Sequence, residues 1–204
     1  MIADARLLLM NAAEQLIARH GYAALSLRQV GVVAGQRNNS AAQYHFGTKD
    51  ALLEAIITTR SERGERRRRQ LLAELDPERV TVRAVVAALI LPGAETLATA
   101  GYPSWIARFT DRMITDLSLG LIEPRWAGYF VGARQAGVLL ERALPGHDPR
   151  VVQHRLSMFI VLAARAFAHL EAQQARGVEL GVDAIHRTAD DLIDMGTVLL
   201  GKPD

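Results

Sequence analysis

Side chains that can read the edges of DNA bases are concentrated in one short stretch of the sequence, between Gly35 and Phe46. They are Arg37, Asn38, Asn39, Ser40 and Gln43. Asn and Gln can pair with adenine through two hydrogen bonds, and Arg can pair with guanine in the same way. The types of residue in this stretch therefore predict sequence-specific recognition of DNA.

Two short helices would have to hold these side chains in place. The first is expected to begin at Ser26, which would form a capping box with Gln29. It is expected to end at Gly35, because a helix C-cap favours a residue that adopts positive φ. Asn38 or Asn39 is then expected to cap the second helix. Two short helices joined by a glycine-containing turn predict a helix-turn-helix, whose second helix can enter the DNA major groove.

This stretch resembles the DNA-binding domain of the tetracycline-repressor (TetR) family of bacterial transcriptional regulators. The matching residues are Gly21-Tyr22, Ser26-Leu27-Arg28, Ala34-Gly35 and, above all, the run from Tyr44 to Leu53, which reads Tyr-His-Phe-Gly-Thr-Lys-Asp-Ala-Leu-Leu. One departure concerns the turn. Eight residues lie between Gly35 and Tyr44, more than the commonest family spacing, and the additional residue is placed at Gln36 or Arg37.

The resemblance implies a role for each matching residue. Tyr44, His45 and Lys49 would contact phosphates. Gln43 and the residues that open the recognition helix would face the bases. Ser26 and Arg28 would contact the DNA backbone at the start of the preceding helix.

The charge is distributed in a way that suits DNA binding by the amino-terminal part. The 204-residue chain has a formal net charge of +2. Residues 1–75 hold 11 Lys and Arg against 7 Asp and Glu, whereas residues 76–204 hold 13 against 15. Phosphate binding requires such a basic surface. The absence of cysteine excludes a disulfide framework, a zinc finger and a thiol nucleophile.

An all-α fold with two domains is predicted. Residues 1–50 would form a three-helix DNA-binding domain, and residues 51–204 a helical domain for effector binding and dimerisation. A connecting helix over 51–75 would be capped by Thr48. Further helices are expected near 79–100, 103–119, 124–142, 149–177 and 183–200. Pro92-Gly93 is expected to kink or split the first of these.

Four consecutive arginines, Arg66 to Arg69, ring the connecting helix. One interpretation is a solvated stretch partly balanced by Glu62 and Glu65. The alternative is a direct contact with DNA, although a separation of about 20 residues corresponds to about 30 Å along a helix. The solvated interpretation is preferred.

The last two predicted helices have broad apolar faces. The resemblance to the TetR family implies that they pair with their copies in a four-helix dimer interface. The expected contact residues are Leu156, Phe159, Ile160, Ala163, Phe167, Leu170, Leu192, Gly196 and Leu199. A dimer would also allow the two DNA-binding domains to span two half-sites.

Aromatic and methionine side chains gather in the middle of the second domain. In the TetR family this region encloses a small-molecule pocket. The candidate effector-binding residues are Trp105, Phe109, Met113, Trp126, Phe130 and Met158. Such stripes also occur in ordinary hydrophobic cores, so that interpretation is retained beside the pocket.

Three functions are compatible with these patterns. The first is a homodimeric regulator of a palindromic operator, a repressor released by an apolar or aromatic effector. The second is an all-helical small-molecule-binding protein or enzyme, although no catalytic motif and no close metal-ligand spacing among the six histidines supports it. The third is an architectural DNA-binding protein without an effector. No cofactor and no metal are expected. No membrane partner is expected either, because the longest apolar run spans only residues 84–91. A cytoplasmic location follows from these expectations.

Overall fold

A computed structural model describes residues 5–38, 40–101, 103–116 and 128–202. Within these ranges the chain forms α-helices and no strands, which confirms the predicted all-α fold. The helices are α1 Ala5–His20, α2 Leu27–Val33, α3 Ala41–Phe46, α4 Lys49–Ala73, α5 Val82–Thr99, α6 Ile106–Thr115, α7 Val131–Ala143, α8 Pro149–Gln174 and α9 Val182–Gly201.

Local side-chain hydrogen bonds explain where several helices begin. The Thr48 side chain accepts a hydrogen bond from the backbone N–H of Ala51 at 3.1 Å, so it caps α4 as expected. Thr81 caps α5 in the same way, through the N–H of Ala84. Asp148 caps α8, which has Pro149 in its first turn. Gly35 follows α2 with φ of +66°, as the sequence predicts.

The helices of the amino-terminal region share one hydrophobic core. Leu9 and Ile17 of α1, Val30 of α2, Phe46 of α3 and Leu52 of α4 are all buried in it. This core also includes Phe109 and Met113 of α6. A helix of the second region therefore completes the core of the helix-turn-helix.

A second core joins the end of α4 to α5, α7, α8 and α9. The helix α5 remains continuous through Pro92, which is buried, so of the two expected outcomes, a kink or a split, the split does not occur. A proline inside a helix costs about 3 kcal/mol. The next residue, Gly93, lies against α8, where a Cβ would be 3.4 Å from Phe167.

The arginine run of α4 is solvated and partly balanced by Glu62 and Glu65, as predicted, except at Arg68. Arg66 does pair with Glu62 on the surface, and Arg67 pairs with Glu95 of α5. Arg68, however, has a side chain only 16% exposed and is paired with Glu65. Because four consecutive positions ring a helix, one of them must face the core. Arg68 is therefore also unavailable for a direct contact with DNA.

Two helices differ from the expectation that no segment could cross a bilayer. By length and composition alone, α5 and α8 are apolar enough to do so. The core helices of soluble proteins can have the same length and apolar composition. Both helices contribute buried side chains to the second core.

Candidate DNA-binding surface and effector cavity

The turn between α2 and α3 closes in a defined way. After α2, the N–H of Gly35 donates to the carbonyl of Val32, and the N–H of Gln36 donates to the carbonyl of Gly31, each at 3.0 Å. This pair of bonds is a Schellman motif, which needs a residue with positive φ at the position of Gly35. Gln36 belongs to the motif, so the longer connection extends from Arg37 onward.

Two predicted caps of the helix-turn-helix are wrong in detail. Ser26 is the N-cap of α2, but its side chain makes no capping hydrogen bond, and the capping box with Gln29 is not formed. The Asn38 side chain accepts from the N–H of Ser40 at 2.9 Å, and α3 begins only at Ala41. Such a bond two residues ahead favours a turn over a helix, which explains the later start.

The predicted DNA-contacting residues lie at the start of α2, in the turn, on α3 and at the start of α4. In the described part of the chain, the exposed members are Arg28 on α2, Arg37, Asn38 and Ser40 in the turn, and Gln43 and Tyr44 on α3. Ser26, His45 and Lys49 are partly buried. Asn39 lies outside the described residues. Tyr44 is 86% exposed, the highest value among the exposed large apolar side chains.

Besides Asn38, several of these side chains have partners within the protein. The amide nitrogen of Gln43 donates to the carbonyl of Gly47. The ring of His45 lies edge-on to Tyr44 with centroids 5.4 Å apart. The ammonium of Lys49 lies 4.5 Å from the ring centroid of Tyr22, whose hydroxyl donates to Asp50. The first residues of α4, Lys49 and Asp50, are thus held against Tyr22, which lies just after the end of α1.

A cavity of about 210 Å³ lies behind the helix-turn-helix, among α4, α5, α6 and α8. Three of the predicted effector-binding residues line it: Phe109, Met113 and Phe130. The face that α4 presents to the cavity consists of Ile57, Arg60, Ser61, Gly64, Glu65 and Arg68. Their spacing places them on one side of a helix.

Two charged pairs border the cavity, and both are tied to neighbouring helices. The Glu65 carboxylate pairs with Arg68 and accepts from the N–H of Gly132 in α7 at 2.7 Å. Arg60 pairs with Glu14 of α1. Burial raises the pKa of Glu14, and the neighbouring Arg60 guanidinium opposes that rise.

The other three predicted effector-binding residues are not in this cavity. Trp105 lines a separate groove against α1, because it immediately precedes α6 and lies at the end of that helix. Its ring is covered by the guanidinium groups of Arg19 and Arg108, at 4.6 and 4.0 Å from the centroid. Met158 is 46% exposed on the outer face of α8. Trp126 lies outside the described residues.

The comparisons with known proteins agree with this geometry. Residues 9–56 match the family described as bacterial regulatory proteins, tetR family. This matched segment, which runs from α1 into α4 and contains the whole helix-turn-helix, is a DNA-binding domain of the TetR family of transcriptional regulators. No sequence among the curated proteins matches the chain.

Solved structures of several regulators share the fold of this chain. AmtR from Mycobacterium smegmatis is 17% identical, with a TM-score of 0.58, over 100% of this chain and 89% of that one. FadR from Bacillus subtilis, solved in complex with stearoyl-CoA, is 15% identical, with a TM-score of 0.55 over 96% and 98%. The fatty acid degradation regulator FadR from Bacillus halodurans is 15% identical, with a TM-score of 0.54 over 95% and 96%. At these identities the likeness concerns the fold alone.

The structure places most of the predicted dimer contacts in the interior of this single chain. Seven are buried in the second core: Leu156, Phe159, Ala163, Phe167, Leu170, Leu192 and Gly196. Ile160 and Leu199 are partly buried against the same core. A Cβ at Gly196 would lie 2.8 Å from Val86 of α5, so the close approach is between helices of one chain. The large apolar side chains that α8 and α9 leave exposed are Met158, Val161, Leu162, Val182, Met195 and Val198.

Sequence analysis missed one buried carboxylate that positions α6. Glu171 of α8 is 1% exposed. It accepts hydrogen bonds from the N–H groups of Ala107 and Arg108, in the first turn of α6, at 3.2 and 3.0 Å. One pattern could have indicated it. Glu171 follows Phe167 by four positions on the apolar face of α8, where a charged residue needs a buried partner.

Proposed function

We propose that this TetR-family regulator is a homodimer that binds a palindromic operator and acts as a repressor released by a small molecule. The observation that carries the proposal is the double role of α6. Phe109 and Met113 of this helix line the cavity and also belong to the core of the helix-turn-helix. A molecule that displaces them would change the packing behind α1 and α4.

DNA recognition is assigned to side chains on and around α3. Gln43 and Ser40 would face the bases, with Arg37, Asn38 and Asn39 at the start of the recognition segment. Tyr44, His45 and Lys49 would contact phosphates on one side, and Ser26 and Arg28 those at the start of α2. The exposure of Tyr44, an aromatic ring with little packing of its own, supports an intermolecular role. A cytoplasmic location is part of this proposal.

The dimer is proposed to form through the exposed apolar face of α8 and α9. Met158, Val161 and Leu162 follow one another on one side of α8, and Met195 and Val198 lie on α9, which packs against α8. Exposed apolar side chains on two helices that pack together are typical of an interaction site. Two identical faces related by a two-fold axis would close into a dimer.

The lining of the cavity favours a second candidate function, small-molecule binding without DNA recognition. The cavity would also suit a small-molecule-binding protein that does not act on DNA, because its lining is mostly apolar and its polar groups are few. The exposed side chains of α3 favour the regulator. Turnover of a substrate by the purified full-length chain would favour the enzyme alternative instead.

The deciding experiment is selection of bound duplexes from a random pool, followed by sequencing. A palindromic consensus is the expected result, because each protomer supplies one helix-turn-helix. Binding without enrichment, with affinity that only falls as salt is added, would contradict sequence-specific regulation. A single half-site in the consensus would contradict the dimer while leaving sequence recognition intact.

A further inference from the structure

Two amide side chains lie exposed on the candidate DNA-binding surface, Asn38 before α3 and Gln43 within it. Either amide type can pair with adenine, which accepts one hydrogen bond from the amide nitrogen and donates one to the amide oxygen. Such a pairing needs both polar atoms of the amide to face the base. The hydrogen bonds that each amide makes inside the protein therefore indicate which of the two is suited to adenine.

The side-chain oxygen of Asn38 is already used by the chain itself. It accepts a hydrogen bond from the backbone N–H of Ser40 at 2.9 Å. The oxygen must be the atom in this bond, because a backbone N–H can only donate and an amide nitrogen does not accept. The oxygen that adenine pairing would need therefore faces the backbone at the start of α3.

Asn38 also supports the start of α3 through its backbone. Its carbonyl accepts from the N–H of Ala41, the first residue of α3, at 3.0 Å. The first N–H groups of a helix have no acceptor within the helix, so an acceptor close by stabilises the helix start. Ser40 is the N-cap of α3, but its own side chain makes no capping hydrogen bond. Asn38 thus supplies two acceptors at this helix start.

The place of Asn38 in the sequence suits this role. The Schellman motif that closes α2 ends with the N–H of Gln36, so the longer connection to α3 lies beyond that residue. A hydrogen bond from the side chain to the backbone two residues ahead is typical of asparagine in turns. Asn38 therefore fixes the place where the longer connection ends and the recognition helix begins.

Gln43 is anchored through the other atom of its amide. Its side-chain nitrogen donates to the carbonyl of Gly47, just after α3, and a carbonyl can only accept, so the nitrogen must face it. One N–H and the side-chain oxygen of Gln43 remain, which are the donor and the acceptor that adenine pairing requires. The bond to Gly47 also restricts the side chain before DNA binds, which lowers the entropy lost on binding.

We propose that the two amides have different roles: Asn38 positions the start of α3, and Gln43 pairs with adenine. Asn38 is then a positioning residue that acts through α3 and makes no base contact of its own. This inference rests on the proposed function, since it concerns the operator bound by the helix-turn-helix. Loss of the Asn38 side chain should weaken operator binding without changing the preferred sequence.

Alanine variants of the two amides provide the first test, by selection from a random duplex pool with the full-length protein. Gln43→Ala should lose the preference at one position of each half-site, and that position should hold an A·T pair in the parent consensus. Asn38→Ala should return the parent consensus, because it removes no base contact. Loss of the preference at a single position in Asn38→Ala, or at a G·C pair in Gln43→Ala, would overturn the proposal.

Affinity measurements separate positioning of α3 from a contact with phosphate. Asn38→Ala should bind the parent operator about three- to tenfold more weakly, as expected for the loss of a helix cap. It should bind a scrambled duplex as the parent protein does, because non-specific binding depends on phosphate contacts. Equal weakening on both duplexes would identify a phosphate contact, and unchanged operator affinity would leave Asn38 without a role; either result contradicts the proposal.

Asn38→Ser is the matched rescue variant. A serine hydroxyl can accept from the same backbone N–H, although more weakly, but it cannot pair with adenine through the two atoms of an amide. Asn38→Ser should therefore recover most of the operator affinity that Asn38→Ala loses and should keep the parent consensus. The same loss of affinity in both variants would show that the amide itself, and not the turn, is required.

Failure of this inference can be told apart from failure of the proposed function. The parent protein alone tests the function, since it either selects a palindrome or does not. If the parent selects a palindrome but Asn38→Ala changes the consensus, the role of Asn38 is wrong and sequence-specific regulation stands. If the parent selects no consensus, the proposed function fails, and the separate roles of the two amides fail with it.

Discussion

The carboxylate of Glu171 in α8 holds Arg108 of α6 by two bonds, one from its backbone N–H at 3.0 Å and one from its guanidinium Nε at 2.9 Å. Arg108 in turn lies over the ring of Trp105, which Arg19 of α1 covers as well. The negative charge lies at the amino terminus of α6, where the helix dipole favours it. Glu171 therefore fixes the helix that separates the cavity from the helix-turn-helix.

Replacing Glu171 by leucine should lower the free energy of unfolding by about 3–5 kcal/mol, because it leaves Nε of Arg108 and two backbone N–H groups without their acceptor. Urea denaturation of both proteins provides the measurement. Glu95→Leu is the matched control. The pair of Glu95 with Arg67 is partly exposed, at 42% and 38%, and a loss below about 1 kcal/mol is expected there. Similar losses at both positions would contradict the role of Glu171.

The contribution of Asp111 in α6 to the stability of the fold is expected to depend on pH. Burial raises the pKa of its carboxyl above 3.8, although Arg165 and Arg112 oppose the rise. The folded protein then binds this proton more tightly than the unfolded chain does. The contribution of Asp111 to stability is therefore full below pH 3.8 and is lost as the pH rises through the raised pKa. Asp111→Asn should remove this loss, so its stability relative to the parent protein should increase with pH across that window. A constant difference between the two proteins would refute the assignment.

The sequence predictions succeeded mainly where the interaction joins residues that are close together along the chain. Helix ends at Thr48 and Gly35 were correctly expected, because a cap depends on residues within four positions. The capping role of Ser26 failed in detail, although it is equally local, since the side chain makes no capping bond. The later start of α3 shows a related limit: Asn38 had two local hydrogen-bonding options, and the turn was formed.

Apolar periodicity identifies a buried face but does not say what covers it. Phe159 and Leu192 were expected at a dimer interface, yet both are covered by helices of the same chain. The same limit applies to the aromatic stripe. Phe109 lies in the cavity wall, whereas Trp105 packs against arginines from α1 and α6. These outcomes depend on how distant helices pack, which spacing along one helix does not encode.

Gln43→Ala is expected to relax the base preference at one operator position at a cost of about 1–3 kcal/mol, because an amide can pair bidentately with adenine. Gln43 lies exposed on α3, with its amide nitrogen near the carbonyl of Gly47. Repeating the duplex selection with this variant gives the measurement. Selection with Gln29→Ala, an exposed position on α2, is the control and should return the parent consensus. An unchanged consensus for Gln43→Ala would show that this side chain does not read a base.

Lys49→Ala should instead weaken binding about equally for all DNA sequences. A lysine that contacts a phosphate contributes through counterion release, so its loss should make the salt dependence of log K shallower by about one unit of slope. Fluorescence anisotropy of the selected operator and of a scrambled duplex, each at several salt concentrations, provides the test. A change in sequence preference would place Lys49 at a base edge and contradict the proposed docking.

Val198→Glu should convert the proposed dimer into monomers. Val198 is 74% exposed on α9, which packs against α8, and in the proposed dimer a carboxylate there would be buried without a partner. Light scattering during size-exclusion chromatography should change from twice the chain mass of 22.3 kDa to that mass itself. Val138→Glu is the matched control, since Val138 is 53% exposed but lies on α7. Because a monomer presents only one helix-turn-helix, Val198→Glu should also lose affinity for a palindrome while keeping the half-site preference. Monomers formed by Val138→Glu but not by Val198→Glu would move the interface from α8 and α9 to α7.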